Sequence, residues 1–161
     1  MADLAQPRFI DHGTLVIAGI VQRYTPDNLS QLNLQWGELQ TRMSWVVGQV
    51  GGDAWGVWYD VLKGGRDFRY LAGVRVGEFA PVHPQFITAN LVPMHYAVFA
   101  HQGAQNELRR TVDAILSQWL PKSGRELRKG EGQPDFLERY SEEFNKTGQG
   151  PIEIWLPIVK K

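Results

Sequence analysis

The residues best placed to do chemistry lie in the segment Phe136-Leu137-Glu138-Arg139-Tyr140. Extended backbone sends alternate side chains to opposite faces, so Phe136, Glu138 and Tyr140 share one face while Leu137 and Arg139 share the other. If the aromatic face is buried, a lone carboxylate there is costly and its pKa rises, unless a cation occupies the site. Otherwise Glu138 faces solvent or pairs with a nearby Lys or Arg, which is the usual state of a strand Glu. Alternation alone leaves both readings open.

Six Trp, five Tyr and seven Phe make the chain 11% aromatic. Trp36 falls in a helical stretch, and Trp55, Trp58 and Tyr59 share one strand. Core packing is the default for any one ring. A groove that combines such rings with one carboxylate would suit a flat organic cation, each desolvated ring face adding ~0.5–2 kcal/mol of cation–π attraction. Phe136, Glu138 and Tyr140 are the candidate ligand-binding residues on their shared face.

Other chemistries find less support. His12, His83, His95 and His101 show no HExxH or similarly close spacing, so no metal site is expected and each reads as a surface or structural histidine. There is no GxSxG, no P-loop and no GxGxxG after a strand, and the glycines at 48, 51, 52, 64 and 65 read as turns. Nucleotide binding is unsupported and no cofactor is expected. Lys+Arg 17 balances Asp+Glu 17, so the electrostatic footprint of a phosphate-backbone binder is missing. Zero cysteines exclude disulfides and thiolate chemistry. The longest apolar run, LVIAGIV, falls far short of the ~20 residues of a membrane helix, and the N-terminus has no signal-like segment. A cytoplasmic protein is the expectation.

At 161 residues and 43% hydrophobic, one well-filled domain over 1–161 is expected. The elements that must position these residues are written twice, as strand, helix, strand, strand, in half-repeats of about 8–76 and 94–159. The first half reads as a strand over Leu15 to Val21, a helix with Leu29, Leu32, Trp36, Leu39, Met43 and Val46 as its stripe, then strands Trp55 to Val61 and Phe68 to Val76. Asp27 or Asn28 is the expected helix cap, and Lys63-Gly64-Gly65-Arg66 the hairpin loop. Pro81, Pro84 and Pro93 mark the connection between halves, with a short strand at Phe86 to Leu91. The second half reads as a strand Tyr96 to His101, a helix from Leu108 to Trp119 stopped by Pro121, a polar loop, and strands Phe136 to Tyr140 and Ile152 to Val159. In the loop, Arg125, Arg128 and Lys129 alternate with Glu126 and Glu131, the pattern of a solvated segment. Aligning Tyr59 with Tyr140 puts Val57 opposite Glu138, so a difference between the copies supplies the charge.

From about Leu15 to Ile158 the sequence resembles the GyrI-like family, the effector-binding domain of bacterial AraC-type and MerR-type transcription regulators. The matching segments are VIAGIVQRY, WGELQTRMSWV, GVWYD, FRYLAGVRV, MHYAVFAHQG, SQWLPKSG, PDFLERY and IEIWLPI, in family order. The resemblance implies an α+β fold: two βαββ units related by a pseudo-twofold axis, a concave antiparallel sheet, two helices on one side and a ligand groove between them. It also implies that Glu138 lies at the floor of a pocket for lipophilic cations, with Tyr140 on the same face and Trp36, Tyr59 and Trp58 along the groove, which together with Phe136 makes six candidate ligand-binding residues. Trp45 and Trp119 look like core. The family's Gly-Pro-Tyr after the first strand of each half is replaced by Tyr24-Thr25-Pro26 and Gly103-Ala104-Gln105, which alters the rim.

The expected function is a multidrug-type binding module for amphipathic, often cationic aromatic compounds, acting without direct nucleic-acid or membrane binding. A hydrolase of reactive electrophiles such as cyclopropanoids, with Glu138 as general acid or base, is the alternative. A protein–protein role, as an inhibitor of DNA gyrase or beside a separate regulator, is the third reading.

Overall fold

The structure, a computed structural model, describes residues 4–62, 67–130 and 132–160. The expected hairpin loop at Lys63-Gly64-Gly65-Arg66 lies outside the described residues. Among the described residues, eight strands form one antiparallel sheet: β1 (Arg8–His12), β2 (Leu15–Tyr24), β3 (Gln49–Tyr59), β4 (Phe68–Val76), β5 (Ile87–Leu91), β6 (Met94–Ala100), β7 (Phe136–Tyr140) and β8 (Ile152–Ile158). Their order is β1-β6-β8-β7-β3-β4-β2-β5. Reading outward from the β3–β7 pair, each half repeats the same sequence of strands, which is the pseudo-twofold relation.

The two edge strands are exchanged between the halves. β1 precedes β2 in the chain yet pairs with β6, and β5 precedes β6 yet pairs with β2. Only Gly13 and Thr14 separate β1 from β2, and only Val92 and Pro93 separate β5 from β6. Three peptide steps reach at most about 11 Å, whereas six strand spacings in a flat sheet would be roughly 29 Å. The sheet must therefore curl into a half-barrel.

Burial shows which way it curls. One face carries Leu15, Ile17, Val57, Leu137, Tyr96 and Trp155, all buried in a single cluster that contains no helical residue. With no layer packed over them, these side chains are shielded by one another, so this face lines the inside of the curl. The outer face carries the helices. α1 (Leu32–Thr41) packs on β2 and β4 over Leu39, Tyr24 and Tyr70. α2 (Leu108–Ala114) and the π turn Ile115–Trp119 that follows it set Leu108 and Ile115 against Phe99 and Leu156 of β6 and β8. Between the helices, β3 and β7 form the floor of a furrow.

Several boundaries differ from the sequence reading. The strand expected over Leu15 to Val21 runs on to Tyr24, and a further strand, β1, precedes it at Arg8–His12. The cap lies at Thr25, not at Asp27 or Asn28, and α1 itself starts after Gln31 without a side-chain cap: the Thr25 side chain accepts from the Asp27 N–H, and Asn28 Oδ1 accepts from the Thr25 N–H at 2.7 Å. That reciprocal pair opens a 3-10 segment, Pro26–Gln31, ahead of α1. β3 starts at Gln49, through an irregularity that Gly51 permits by its φ of 73°.

Pro121 does not stop the second helix. It sits within α3 (Leu120–Ser123), just after the π turn, where the widened helix accommodates the missing N–H. The segment Ser141 to Gly150, between the last two strands, holds α4 (Glu142–Thr147), capped by the Ser141 hydroxyl at one end and by left-handed Gly148 at the other. No helix among the described residues is long and apolar enough to cross a membrane.

Candidate functional site

The furrow floor is set by strand register. β3 and β7 align Ala54 with Tyr140, Gly56 with Glu138 and Trp58 with Phe136. On the other side of β3, Trp58 aligns with Tyr70 of β4. Cross-strand partners share a face, so Tyr70, Trp58 and Phe136 form an aromatic row beside Glu138. The Trp58 and Tyr70 ring centroids are 4.5 Å apart, and those of Trp58 and Phe136 are 5.8 Å apart.

Glu138 is only 6% exposed. Its carboxylate is held by three neutral donors. The Trp58 indole N–H reaches Oε2 at 2.9 Å, and the Tyr70 and Tyr140 hydroxyls both reach Oε1, at 2.9 and 3.0 Å. Among the described residues, no Lys or Arg lies within ion-pair distance. Burial pushes the Glu138 carboxyl above the ordinary carboxylate range, against the pull of these hydrogen bonds and of His101. The same burial, with the carboxylate beside them, pushes the Tyr70 and Tyr140 hydroxyls well above their usual value, so both remain protonated donors.

Gly56 makes this arrangement possible. A Cβ at that position would collide with the Tyr70 hydroxyl and stand 2.7 Å from Glu138 Oε1. Without it, Tyr70 reaches across β3 to the acid on β7.

α1 brings the wall. Gln35, almost fully buried, accepts from the Tyr24 hydroxyl at 2.6 Å and donates to the carbonyls of Ile20 and Tyr70 at 2.7 and 2.9 Å. These bonds fix the helix to β2 and β4. They thereby aim the next residue, Trp36, whose indole N–H meets the Tyr70 hydroxyl at 3.2 Å. The Trp36 ring stands edge-on to Tyr70 and Tyr140, at 6.1 and 5.8 Å. Trp36 and Trp58, both half-buried, touch the core clusters of both halves. At one end of the furrow α4 sets Phe144 against Tyr140, ring centroids 5.3 Å apart.

Five of the six candidate residues thus come together: Trp36, Trp58, Phe136, Glu138 and Tyr140. Tyr59 does not. One residue beyond Trp58, it points to the inner face of the curl, packs against that core and lies under the Arg69 guanidinium. Val57, matched to Glu138 when the two copies are aligned on Tyr59 and Tyr140, likewise lies on the inner face, and the residue across the ladder from Glu138 is Gly56. Trp45 and Trp119 are half-buried and pack at the edges of the two outer clusters. Sequence reasoning missed Tyr70, Gly56, Gln35 and Phe144. The parity of FRYLAGVRV places Tyr70 only once the register of the β3–β4 pair is known.

A family model described as a GyrI-like small molecule binding domain matches residues 5–159. The chain belongs to the GyrI-like family. It is 27% identical over 92 residues to the transcriptional regulator BrlR of Pseudomonas aeruginosa, a match covering 57% of this chain and 33% of that protein. The chain therefore spans about a third of the length of that regulator. Among solved structures, it resembles a bacterial transcription regulation protein from Staphylococcus aureus with a TM-score of 0.68 and 16% identity, covering 96% of this chain and 99% of the other. It also resembles SAV2435 bound to tetraphenylphosphonium, with a TM-score of 0.63 and 17% identity, covering 96% and 94%. At these identities the structural likeness is one of fold. The GyrI-like chain is a small-molecule binding domain with a half-barrel sheet.

Proposed function

We propose that this domain takes up amphipathic aromatic compounds that carry positive charge, with Glu138 as counter-charge and Trp36, Trp58, Phe136 and Tyr140 as walls. The observation that carries the reading is the partnership of Glu138. A carboxylate is buried on the furrow floor, every group bonded to it is neutral, and no cation of the chain's described residues neutralises it. Structural acids in such surroundings are paired with Lys or Arg. Here the complementary charge comes from outside. The half-buried indoles beside it offer ring faces to a delocalised cation, each adding ~0.5–2 kcal/mol when water is excluded. That a GyrI-like neighbour is seen with tetraphenylphosphonium supports the choice of a lipophilic cation as ligand class.

Titration with tetraphenylphosphonium, followed by tryptophan fluorescence, tests this. Saturable quenching is expected, because the cation would lie against Trp36 and Trp58. An unchanged emission spectrum at millimolar ligand counts against the reading.

A second reading rests on the same carboxyl. Burial keeps Glu138 inclined to hold a proton, and two tyrosine hydroxyls orient it. That is the arrangement of a general acid able to protonate a strained electrophile while water adds to it. Mass spectrometry of a cyclopropanoid incubated with the protein decides between them: a product 18 Da heavier (about the mass of one added water) supports hydrolysis, and intact compound leaves binding.

A further inference from the structure

A second concavity, sharing no residue with the Glu138 site, opens where β1 ends, β6 begins and β8 ends. Its volume is about 490 Å³. The charged and polar lining is Asp11, His12, His95, Arg128 and Lys160, and its exposed apolar part is Pro93 and Val159.

The charges do not balance. Asp11 is the one carboxylate in the lining, and it is already engaged by Lys160 at 2.6 Å and by His95 at 2.8 Å, which together hold it below the usual carboxylate range. Arg128 has no acidic partner among the described residues. Among those residues its guanidinium meets only the Pro93 carbonyl, at 3.5 Å. Tyr96, next to His95 on β6, has a buried hydroxyl without a hydrogen-bond partner among the described residues, pushed up to about 12 by burial and drawn back by the Arg128 charge. Among the described residues of the lining, two fixed cations and two imidazoles thus face a single, shared acid. The main chain places Arg128 independently of its side chain: its N–H bonds the Pro157 carbonyl at 3.1 Å, and Val159 N–H bonds Glu126 O at 2.9 Å.

We propose that this cavity binds small organic anions, a phosphate or carboxylate head held by Arg128 and Lys160 with an apolar body against Pro93 and Val159. Arg presents a planar donor fork suited to such oxyanions and Lys a point charge.

The probe is phenylphosphate, titrated into the ¹⁵N-labelled chain while amide shifts are followed by NMR. Saturable shifts at His12, Gly13, His95 and Val159 are expected. Inorganic phosphate should saturate the same amides more weakly. Arg128→Gln and Lys160→Gln should each weaken phenylphosphate at least tenfold while tetraphenylphosphonium binding is unchanged. Shifts that fail to saturate, equal affinity in Arg128→Gln, or equal shifts with neutral benzyl alcohol would overturn the proposal. Inorganic phosphate binding as tightly as phenylphosphate would overturn its apolar part.

Discussion

Gly56 stands directly across the β3–β7 ladder from Glu138, and its lack of a side chain is what lets the Tyr70 hydroxyl reach the carboxylate. The acid and the empty position opposite it are one device. In Gly56→Ala, the new methyl must displace Tyr70 or Glu138. Overpacking of a buried position typically costs about 1–3 kcal/mol. Urea denaturation should show a loss of this size, accompanied by weaker tetraphenylphosphonium binding as the donors move.

The raised carboxyl of Glu138 fixes the sign of a pH effect. Its pKa in the fold lies above the unfolded value of 4.5, so the native state keeps the proton longer. The stability that this contributes is complete below the unfolded value and is lost as pH rises through the folded one. The wild type should therefore lose stability relative to Glu138→Gln as pH is raised from below 4.5 toward neutrality. Paired denaturation curves across that range check this, and a difference independent of pH contradicts it.

Tyr70→Phe removes the hydroxyl that joins Trp36 to Glu138. One hydrogen bond to a buried charged group contributes about 1.5–3 kcal/mol. With that donor gone, the Glu138 carboxyl should move further upward, as read by ¹³C NMR of its side chain. Tyr140→Phe should act in the same direction. A downward movement in either variant would show that these hydroxyls do not stabilise the charged form.

Gln35 is expected to matter to the site without touching it. Gln35→Leu leaves the Ile20 and Tyr70 carbonyls and the Tyr24 hydroxyl without their side-chain partner. Each buried group so abandoned costs about 1–3 kcal/mol. The variant should be destabilised by several kcal/mol and should lose near-ultraviolet dichroism from Trp36. The conservative Gln35→Glu, which keeps the acceptor for Tyr24, should recover part of the stability at acidic pH.

The sequence made the face shared by Phe136, Glu138 and Tyr140 legible because alternation within one strand is a local property. What lies opposite that face is not local. Matching Tyr59 with Tyr140 by residue type sets Val57 beside Glu138 as its counterpart in the other copy, yet Val57 and Tyr59 lie on the inner face of the curl while Glu138 and Tyr140 lie on the outer one. The exchange of β1 and β5 was likewise hidden, since five-residue strands carry little periodicity and their partners lie in the other half. Tyr70 and Gln35 owe their roles to contacts 68 and 35 residues away in the chain. α4 was missed because its six residues are too few to show a stripe, although Ser141 and Gly148 mark its ends.

The most direct measurement is calorimetric titration of tetraphenylphosphonium, and of neutral triphenylphosphine oxide, into wild type and Glu138→Gln. The substitution keeps the shape of the side chain and removes its charge. The cation should bind the variant at least tenfold more weakly, about 1.4 kcal/mol, while the neutral compound binds both proteins alike. Equal affinity of the cation for the two proteins would contradict the assignment of Glu138 as the counter-charge.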